Sequence, residues 1–214
     1  MKSFLVLGLG RFGKSLACTL YSMGHEVMAM DDNEEVVSDM ADCVTHVLVG
    51  DCTDEAVLRS VGVRNFDVAI VAIGGDMQSS IMITLILKEA GVRKIIAKAQ
   101  SEIHAKILEK VGADRVIFPE QDMGERVAQM LTINNFLDYI ELSPEYSIIE
   151  TTIPSEWAGK TLSQLDIRRK HGINVMAVKS GGEIHVSPAA DFVLGGEDII
   201  VVIGKNDSIG KLYE

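Results

Sequence analysis

The stretch Gly8-Leu9-Gly10-Arg11-Phe12-Gly13-Lys14-Ser15 closes the first apolar run, Phe4–Leu9, and opens an amphipathic segment. It satisfies two phosphate-binding patterns at once. Read as GxGxxG, Gly8, Gly10 and Gly13 permit a tight turn, close backbone approach to a pyrophosphate, and tight packing of helix on strand. The phosphates then rest on free N–H groups at the helix start, where the helix dipole is positive. Read as GxxxxGK[ST], Lys14 reaches the outer phosphates and Ser15 holds Mg2+. The sequence beyond favours the first pattern. Asp31 ends the next apolar run, Val27–Met30, with Asp32 beside it, and dinucleotide folds place an acid about 20 residues after the glycines to accept ribose hydroxyls. Later runs end in Gly50-Asp51 and Gly74-Gly75-Asp76, loops shaped to admit a nucleotide edge. Val27–Asp31 can also pose as the acid-bearing strand of a P-loop ATPase, which keeps that alternative open. On the preferred reading, Lys14 and Ser15 are ordinary first-turn helix residues.

Working outward, apolar runs alternate with amphipathic stretches up to about residue 118: Phe4–Leu9, Val27–Met30, His46–Val49, Val68–Ile73, Ile95–Ala97 and Arg115–Phe118. Several are apolar at nearly every position, as parallel strands covered on both faces must be. Leu16, Ala17, Leu20 and Met23 form one helical stripe, and Ile81, Leu85 and Lys88/Glu89 give another in-then-out pattern. The expected fold is α/β: a Rossmann-like, doubly wound parallel sheet of six strands. Residues 122–138 read as a further helix with Met123, Val127, Met130, Leu131 and Asn134 on one side, packing on the sheet or on a second subunit. The rhythm then changes. Tyr146–Ile153 alternates like a strand and Thr161–Leu165 reads as a short helix. Ile173–Val178 and Glu183–Val186 flank a Ser180-Gly181-Gly182 hairpin turn, Ile199–Ile203 is a last strand, and Asp207–Tyr213 a closing helix. These elements make a small C-terminal α+β lobe. The expected domains are 1–140, including a crossover or dimerisation helix, and 144–214.

Composition limits the chemistry. The 214-residue chain is 47% hydrophobic and carries a net charge of −11, which repels nucleic acid and anionic lipid. No apolar run approaches the roughly 20 residues needed to span a bilayer, so no direct membrane insertion is expected. Three cysteines, Cys18, Cys43 and Cys52, show no paired spacing, which argues against disulfides and structural zinc. Cys18 reads as core; Cys52 lies in a loop beside the glycine crevice, where it can react if exposed. The five histidines are scattered. No nucleophile, base and orienting partner occur in a recognised pattern. The expectation is a protein that is not an enzyme, with a small NAD-dependent oxidoreductase as the rival from another class.

Several segments together are similar to one family. Gly8–Gly13 with Arg11, Met23-Gly24-His25-Glu26-Val27, Gly50-Asp51-Cys52-Thr53, Lys98-Ala99-Gln100, Gly112-Ala113-Asp114-Arg115 and Phe118-Pro119-Glu120 resemble the RCK family, regulators of K+ conductance. The resemblance runs along essentially the whole chain and points to the cytosolic regulatory subunits of Ktr/Trk-type potassium-uptake systems. It implies a cytoplasmic homo-oligomer of dimers, an octameric ring, attached to the cell membrane's inner face through an integral-membrane potassium channel subunit that it gates. It implies ATP/ADP binding, with NAD(H) as the alternative ligand. The residues carried over are Gly8, Gly10, Arg11, Phe12, Gly13, Asp31, Asp32, Asp51, Cys52, Thr53, Ile73, Gly74, Lys98 and Glu120. Among them Arg11 meets the γ-phosphate, Lys98 lies near the phosphates, and Glu120 helps hold a divalent cation such as Mg2+. In the C-terminal lobe, Ile167, Arg168, Asn174, Val175 and Pro188 resemble a cyclic di-AMP site of some relatives.

Overall fold

The computed structural model describes residues 1–132 and 136–212. The first half alternates strand and helix: β1 (Ser3–Leu7), α1 (Arg11–Ser22), β2 (Glu26–Asp31), α2 (Glu34–Ser38), β3 (His46–Val49), α3 (Glu55–Val61), β4 (Val68–Val71), α4 (Met77–Glu89), β5 (Ile95–Lys98), α5 (Glu102–Val111) and β6 (Arg115–Ile117). The six strands are parallel and lie in the order β3-β2-β1-β4-β5-β6. The order reverses between β1 and β4, and such a switch point leaves a crevice outside the strands' carboxyl ends. Successive side chains of a strand point to opposite faces. Thus Leu5, Leu7 and Val71 fill one core with Ile83, Leu87 and Leu108, while Val6, Val27 and Ile70 fill the other with Ala17 and Met40. Both faces of the central strands are covered, which is why β1 and β4 are apolar at nearly every position, while the edge strands β3 and β6 carry His46 and Arg115.

The helix stripes differ in detail from the sequence reading. Met23 caps α1 and is 66% exposed, whereas Gly13 and Ala17 form its buried line. In α4 the buried line is Ser80, Ile83, Thr84 and Leu87, and Leu85 is 42% exposed. Two hydroxyls hide that face from a hydropathy pattern. Both are satisfied inside: Thr84 Oγ1 donates to the Ser80 carbonyl at 2.7 Å, and Ser80 Oγ donates to the Met77 carbonyl at 3.0 Å.

Ser80 also ties α4 to α5. Its Oγ lies 2.8 Å from His104 Nε2, and the Gln100 N–H donates to His104 Nδ1 at 3.4 Å. An accepting Nδ1 makes this a neutral imidazole with its proton on Nε2, directed at Ser80. The ring is 1% exposed, and burial lowers its pKa from the ordinary 6.5. The unfolded chain therefore binds this proton more readily than the folded one. The stability that neutral His104 contributes is complete above pH 6.5 and declines as pH falls below it toward the depressed folded value. Urea midpoints between pH 7.5 and 5.5 should fall less in His104→Gln than in the parent chain; equal slopes would contradict the linkage.

Contacts divide the chain into two compact units, Met1–Gln121 and Asp122–Glu214. Helix α6 (Pro119–Thr132) crosses the division. β7 (Phe136–Ser143), β8 (Tyr146–Thr152), α7 (Leu162–Leu165), α8 (Ile167–His171), β9 (Ile173–Ser180), β10 (Glu183–Val186), β11 (Ile199–Lys205) and α9 (Asn206–Gly210) follow. The strands form an antiparallel sheet, β10-β9-β11-β8-β7, over a core that includes Ile149, Trp157, Ile173, Leu194 and Val202. Gly181 and Gly182, both at positive φ, make the two-residue turn between β9 and β10.

The helix read over 122–138 is shorter than expected. It ends at Thr132, and Phe136 opens strand β7, in which Phe136 lies opposite Thr151 and Ile140 opposite Ile148. The apolar residues from Phe136 to Leu142 continue the helical spacing, but Ser143 and Tyr146 close a hairpin that gives them strand partners. Asn134 and Tyr213 lie outside the described residues. Residues 140–144, where composition shifts, lie in β7 and the turn that follows it.

Candidate functional site

At the carboxyl end of the parallel sheet lies a cleft of about 350 Å³, lined by Gly8, Gly10, Asp31, Asp32, Asp51, Cys52, Thr53, Ala72, Ile73, Gly74, Asp76 and Ser79. Each glycine has its own reason. Gly8 sits at φ +93°, and a Cβ there would meet Ile73 Cγ1 at 2.8 Å. A Cβ on Gly13 would lie 2.0 Å from the Gly8 carbonyl oxygen, so helix and strand approach as closely as backbones can. A Cβ on Gly10 would meet nothing within 4 Å; that glycine leaves space open. Gly10 is also the N-cap of α1, without a side-chain cap and with no acid in the first turn. The amides that begin this 12-residue helix are thereby left for an external acceptor, on the positive end of the dipole.

Asp31 organises the loop. Its Oδ2 accepts the Leu9 N–H at 2.6 Å and its Oδ1 accepts the Asn33 N–H at 3.0 Å. The Asp31 carbonyl accepts the Gly50 N–H at 2.9 Å, and the Met30 carbonyl accepts the Gly8 N–H at 2.9 Å. Two adjacent residues thus fasten the loops after β1, β2 and β3. Each Asp31 carboxylate oxygen can accept a further bond.

The neighbouring acids are engaged locally. Asp51 Oδ1 accepts the Thr53 hydroxyl at 2.6 Å and its N–H at 2.7 Å, and these bonds hold the carboxyl below the usual range. Asp76 caps α4 by accepting the Ser79 hydroxyl and, at 2.9 Å, the Gln78 N–H, and its pKa is lowered by the same contacts. Cys52 is buried, and burial together with the charges of Asp31, Asp51 and Asp32 pushes its thiol up to about 12. Reactivity of Cys52 depended on its being exposed, and the fold leaves the thiol buried and protonated.

The cations gather elsewhere. Lys98, at the end of β5, has a side chain only 11% exposed, and its Nζ meets Glu120 Oε1 at 2.5 Å. Gly74, a lining residue, is the place where this lysine touches the cleft: a Cβ there would sit 2.9 Å from Lys98 Nζ. Glu120 is 72% exposed, and its pKa is lowered chiefly by the Lys98 bond and also by the field of Arg11. Asp31, Asp32 and Asp51 thus stand together around Cys52, while the Lys98–Glu120 pair feels the charge of Arg11; Arg11 and Glu120 themselves are not among the residues lining the cleft.

The structure brings Gly8, Gly10, Asp31, Asp32, Asp51, Cys52, Thr53, Ile73 and Gly74 into one cleft, with Lys98 against its wall. Gly13 acts through packing. Phe12 is half-buried and packs against the core beneath α1, and it is not among the residues lining the cleft. Ala72, Asp76 and Ser79 line the cleft without having been among the site residues read from sequence, where Asp76 was named only as part of its loop. The capping pattern Asp76-Met77-Gln78-Ser79 at the start of α4 was the available signal for Ser79. Among the described residues, no three or more His, Cys, Asp or Glu side chains are grouped to hold a metal.

A second cleft, of about 520 Å³, lies in the other unit. It is lined by Leu162, Ser163, Asp166, Ile167, Arg168, Ile173, Asn174, Val175, Pro188 and Ala190, and so contains all five residues singled out there from sequence. Arg169 is held by Asp166 at 2.7 Å, whereas Arg168 makes no ion pair among the described residues.

The strand order, the glycine loop and the acid after β2 define a Rossmann protein of the dinucleotide-fold class with an appended antiparallel unit. The TrkA-N domain family matches residues 4–119, and the TrkA-C domain family matches residues 147–214. Ktr system potassium uptake protein C of Bacillus subtilis (strain 168) is 51% identical over 210 residues, covering 98% of this chain and 95% of the relative. Among solved structures, the GsuK channel bound to NAD aligns with a TM-score of 0.67 at 21% identity, covering 100% of this chain and 39% of that one. GsuK bound to ADP aligns with a TM-score of 0.55 at 20% identity, over 61% of this chain and 35% of that one. The chain belongs to the TrkA-domain family of Ktr-type potassium uptake proteins. Its B. subtilis relative is named for potassium uptake, not for an enzyme activity.

Because the Gly13 position faces backbone rather than a movable side chain, Gly13→Ala should destabilise the chain by about 1–3 kcal/mol. Gly10→Ala should cost less than half of that. Urea denaturation of the two variants checks the difference.

Proposed function

We propose that this protein is the regulatory subunit of a potassium-uptake system and that it senses ATP against ADP in the glycine-loop cleft. The adenosine ribose binds the free lone pairs of Asp31, the diphosphate rests on the N–H groups that open α1, and the outermost phosphate reaches Arg11 and Lys98. The observation that carries this reading is the Lys98–Glu120 pair, joined to the cleft wall through Gly74, with Arg11 in the first turn of α1. Arginine offers a phosphate a planar, bidentate fork. A γ-phosphate competes with Glu120 for Lys98 and releases that carboxylate. Mg2+ binds through phosphate oxygens plus one or two carboxylates, so Glu120 would be the protein's share of its shell, and the ion would neutralise the crowded charge. ADP reaches fewer of these groups. That difference in affinity is what lets a ligand move a conformational equilibrium.

The gating reading extends this. No helix among the described residues is long and apolar enough to cross a membrane, so the work on potassium flux falls to an integral-membrane partner. Met123, Val127 and Leu131 recur at helical spacing on α6 and are 55%, 43% and 82% exposed, an apolar line that supports dimers and, through them, a cytoplasmic ring. In the second unit, Arg168 with Asn174 and the apolar walls of the cleft supports cyclic di-AMP as a further ligand.

Arg11→Ala should weaken ATP at least about tenfold more than ADP in calorimetric titration with Mg2+, the loss of one charge-assisted phosphate contact. Equal losses for both nucleotides would remove the γ-phosphate role. NAD(H) is the second reading, favoured by the GsuK channel bound to NAD. In a thermal-shift comparison at equal concentration, ATP should raise the melting temperature more than NADH; the reverse order would transfer the proposal to the dinucleotide.

A further inference from the structure

Cys18 and Cys43, which show no paired spacing in sequence, are brought by the fold to opposite sides of Met40 in one core. Cys18 lies midway along α1 and Cys43 in the turn between α2 and β3; both are free, half-buried thiols. The Cys43 N–H donates to the Met40 carbonyl at 2.9 Å, a tight turn that keeps Met40 and Cys43 on one short segment. Contacts press that segment against α1. Lys14 Nζ pairs with Asp39 Oδ2 at 3.3 Å, Cys18 Sγ contacts Met40 Sδ at 3.9 Å, and Cys43, one tight turn from Met40, is near enough to raise the Cys18 pKa. Lys14 and Cys18 are an i, i+4 pair, so the ion pair and the Met40 contact come from one face of α1, the face that Cys43 approaches. Cys18 and Cys43 also pack on the same core, with Met40, Ala17 and Val44.

We propose that Cys18 and Cys43 are a reversible redox pair, closed to a disulfide by a hydroperoxide and stapling α1 to the segment 39–43. The Cys43 thiolate attacks a peroxide oxygen, the O–O bond breaks, an alcohol or water leaves, and Cys43 becomes a sulfenic acid. The Cys18 thiolate then attacks the Cys43 sulfur, the S–O bond breaks, and hydroxide leaves and is protonated to water. Two thiols and one hydroperoxide thus yield a disulfide, an alcohol (or water) and water. Burial and the neighbouring Cys43 raise the Cys18 thiol, which suits it to the slower, resolving role and makes closure faster at higher pH. Cys52 is the internal control, being covered and protonated. Since α1 begins at the glycine loop, the staple fixes the helix that carries the phosphate cradle.

Hydrogen peroxide treatment of the native full-length chain, followed by thiol titration and peptide mass spectrometry, tests this. One of the three thiols should remain, the Cys18 and Cys43 peptides should be joined, and the mass should fall by about 2 Da. Dithiothreitol should restore all three. Cys18→Ser should block the link and leave a Cys43 sulfenic acid that dimedone traps, while Cys43→Ser should leave Cys18 without a disulfide. In denaturant, Cys52 should enter the pairing. Three thiols retained in the native protein, a native link to Cys52, or a link between two copies would each overturn the proposal.

Discussion

The bond from the Leu9 N–H to Asp31 Oδ2 is the constraint on which the site depends. A glycine-rich loop has the largest conformational entropy to lose on folding, and its own residues offer no side chains to fix it. Asp31 supplies the fixture from the neighbouring strand and accepts the Asn33 amide with its other oxygen. The backbone of the same two-residue step holds the ends of β1 and β3. One carboxylate therefore sets the shape of the loop and stands where a ribose would be read. A substitution there disturbs shape and recognition together, which is why a nucleotide lacking the hydroxyls is a cleaner probe than a mutation alone.

The cleft is polarised by the same economy. Carboxylates of Asp31, Asp32 and Asp51 gather after β2 and β3, and that of Asp76 stands after β4, each suited to accept bonds from hydroxyl or amine donors. The donors are the amides at the start of α1, with Arg11 and Lys98. In a chain of net charge −11, such a concentration of donors is the feature that makes an anionic tail tolerable. The Lys98–Glu120 pair costs little to open because Glu120 is largely exposed, so it can yield to a competing phosphate.

Much of this was legible in the sequence for physical reasons. Strands covered on both faces are apolar at nearly every position, so the parallel strands stood out even where edge strands carry His46 or Arg115, and the glycine spacing with Asp31 located the cleft between them. What escaped had equally physical causes. Ser80 and Thr84 are buried but satisfied by backbone carbonyls, so the inner face of α4 looked polar. The residues from Phe136 to Leu142 carry an apolar pattern that suits helix or strand, and only the β8 partner decides between them. Phe12 occupies a motif position yet turns into the core. The approach of Cys18 to the turn that holds Met40 and Cys43 depends on how α1 docks after α2, which no local pattern encodes.

The most direct measurement compares ATP with 2′,3′-dideoxy-ATP by calorimetry on the parent chain and on Asp31→Asn. If Asp31 receives the ribose, the parent chain binds ATP about tenfold or more tightly than the dideoxy analogue, the worth of one or two charge-assisted bonds, and the substitution erases most of that gap. Equal affinity of the parent chain for the two nucleotides would show that the ribose does not bind this carboxylate.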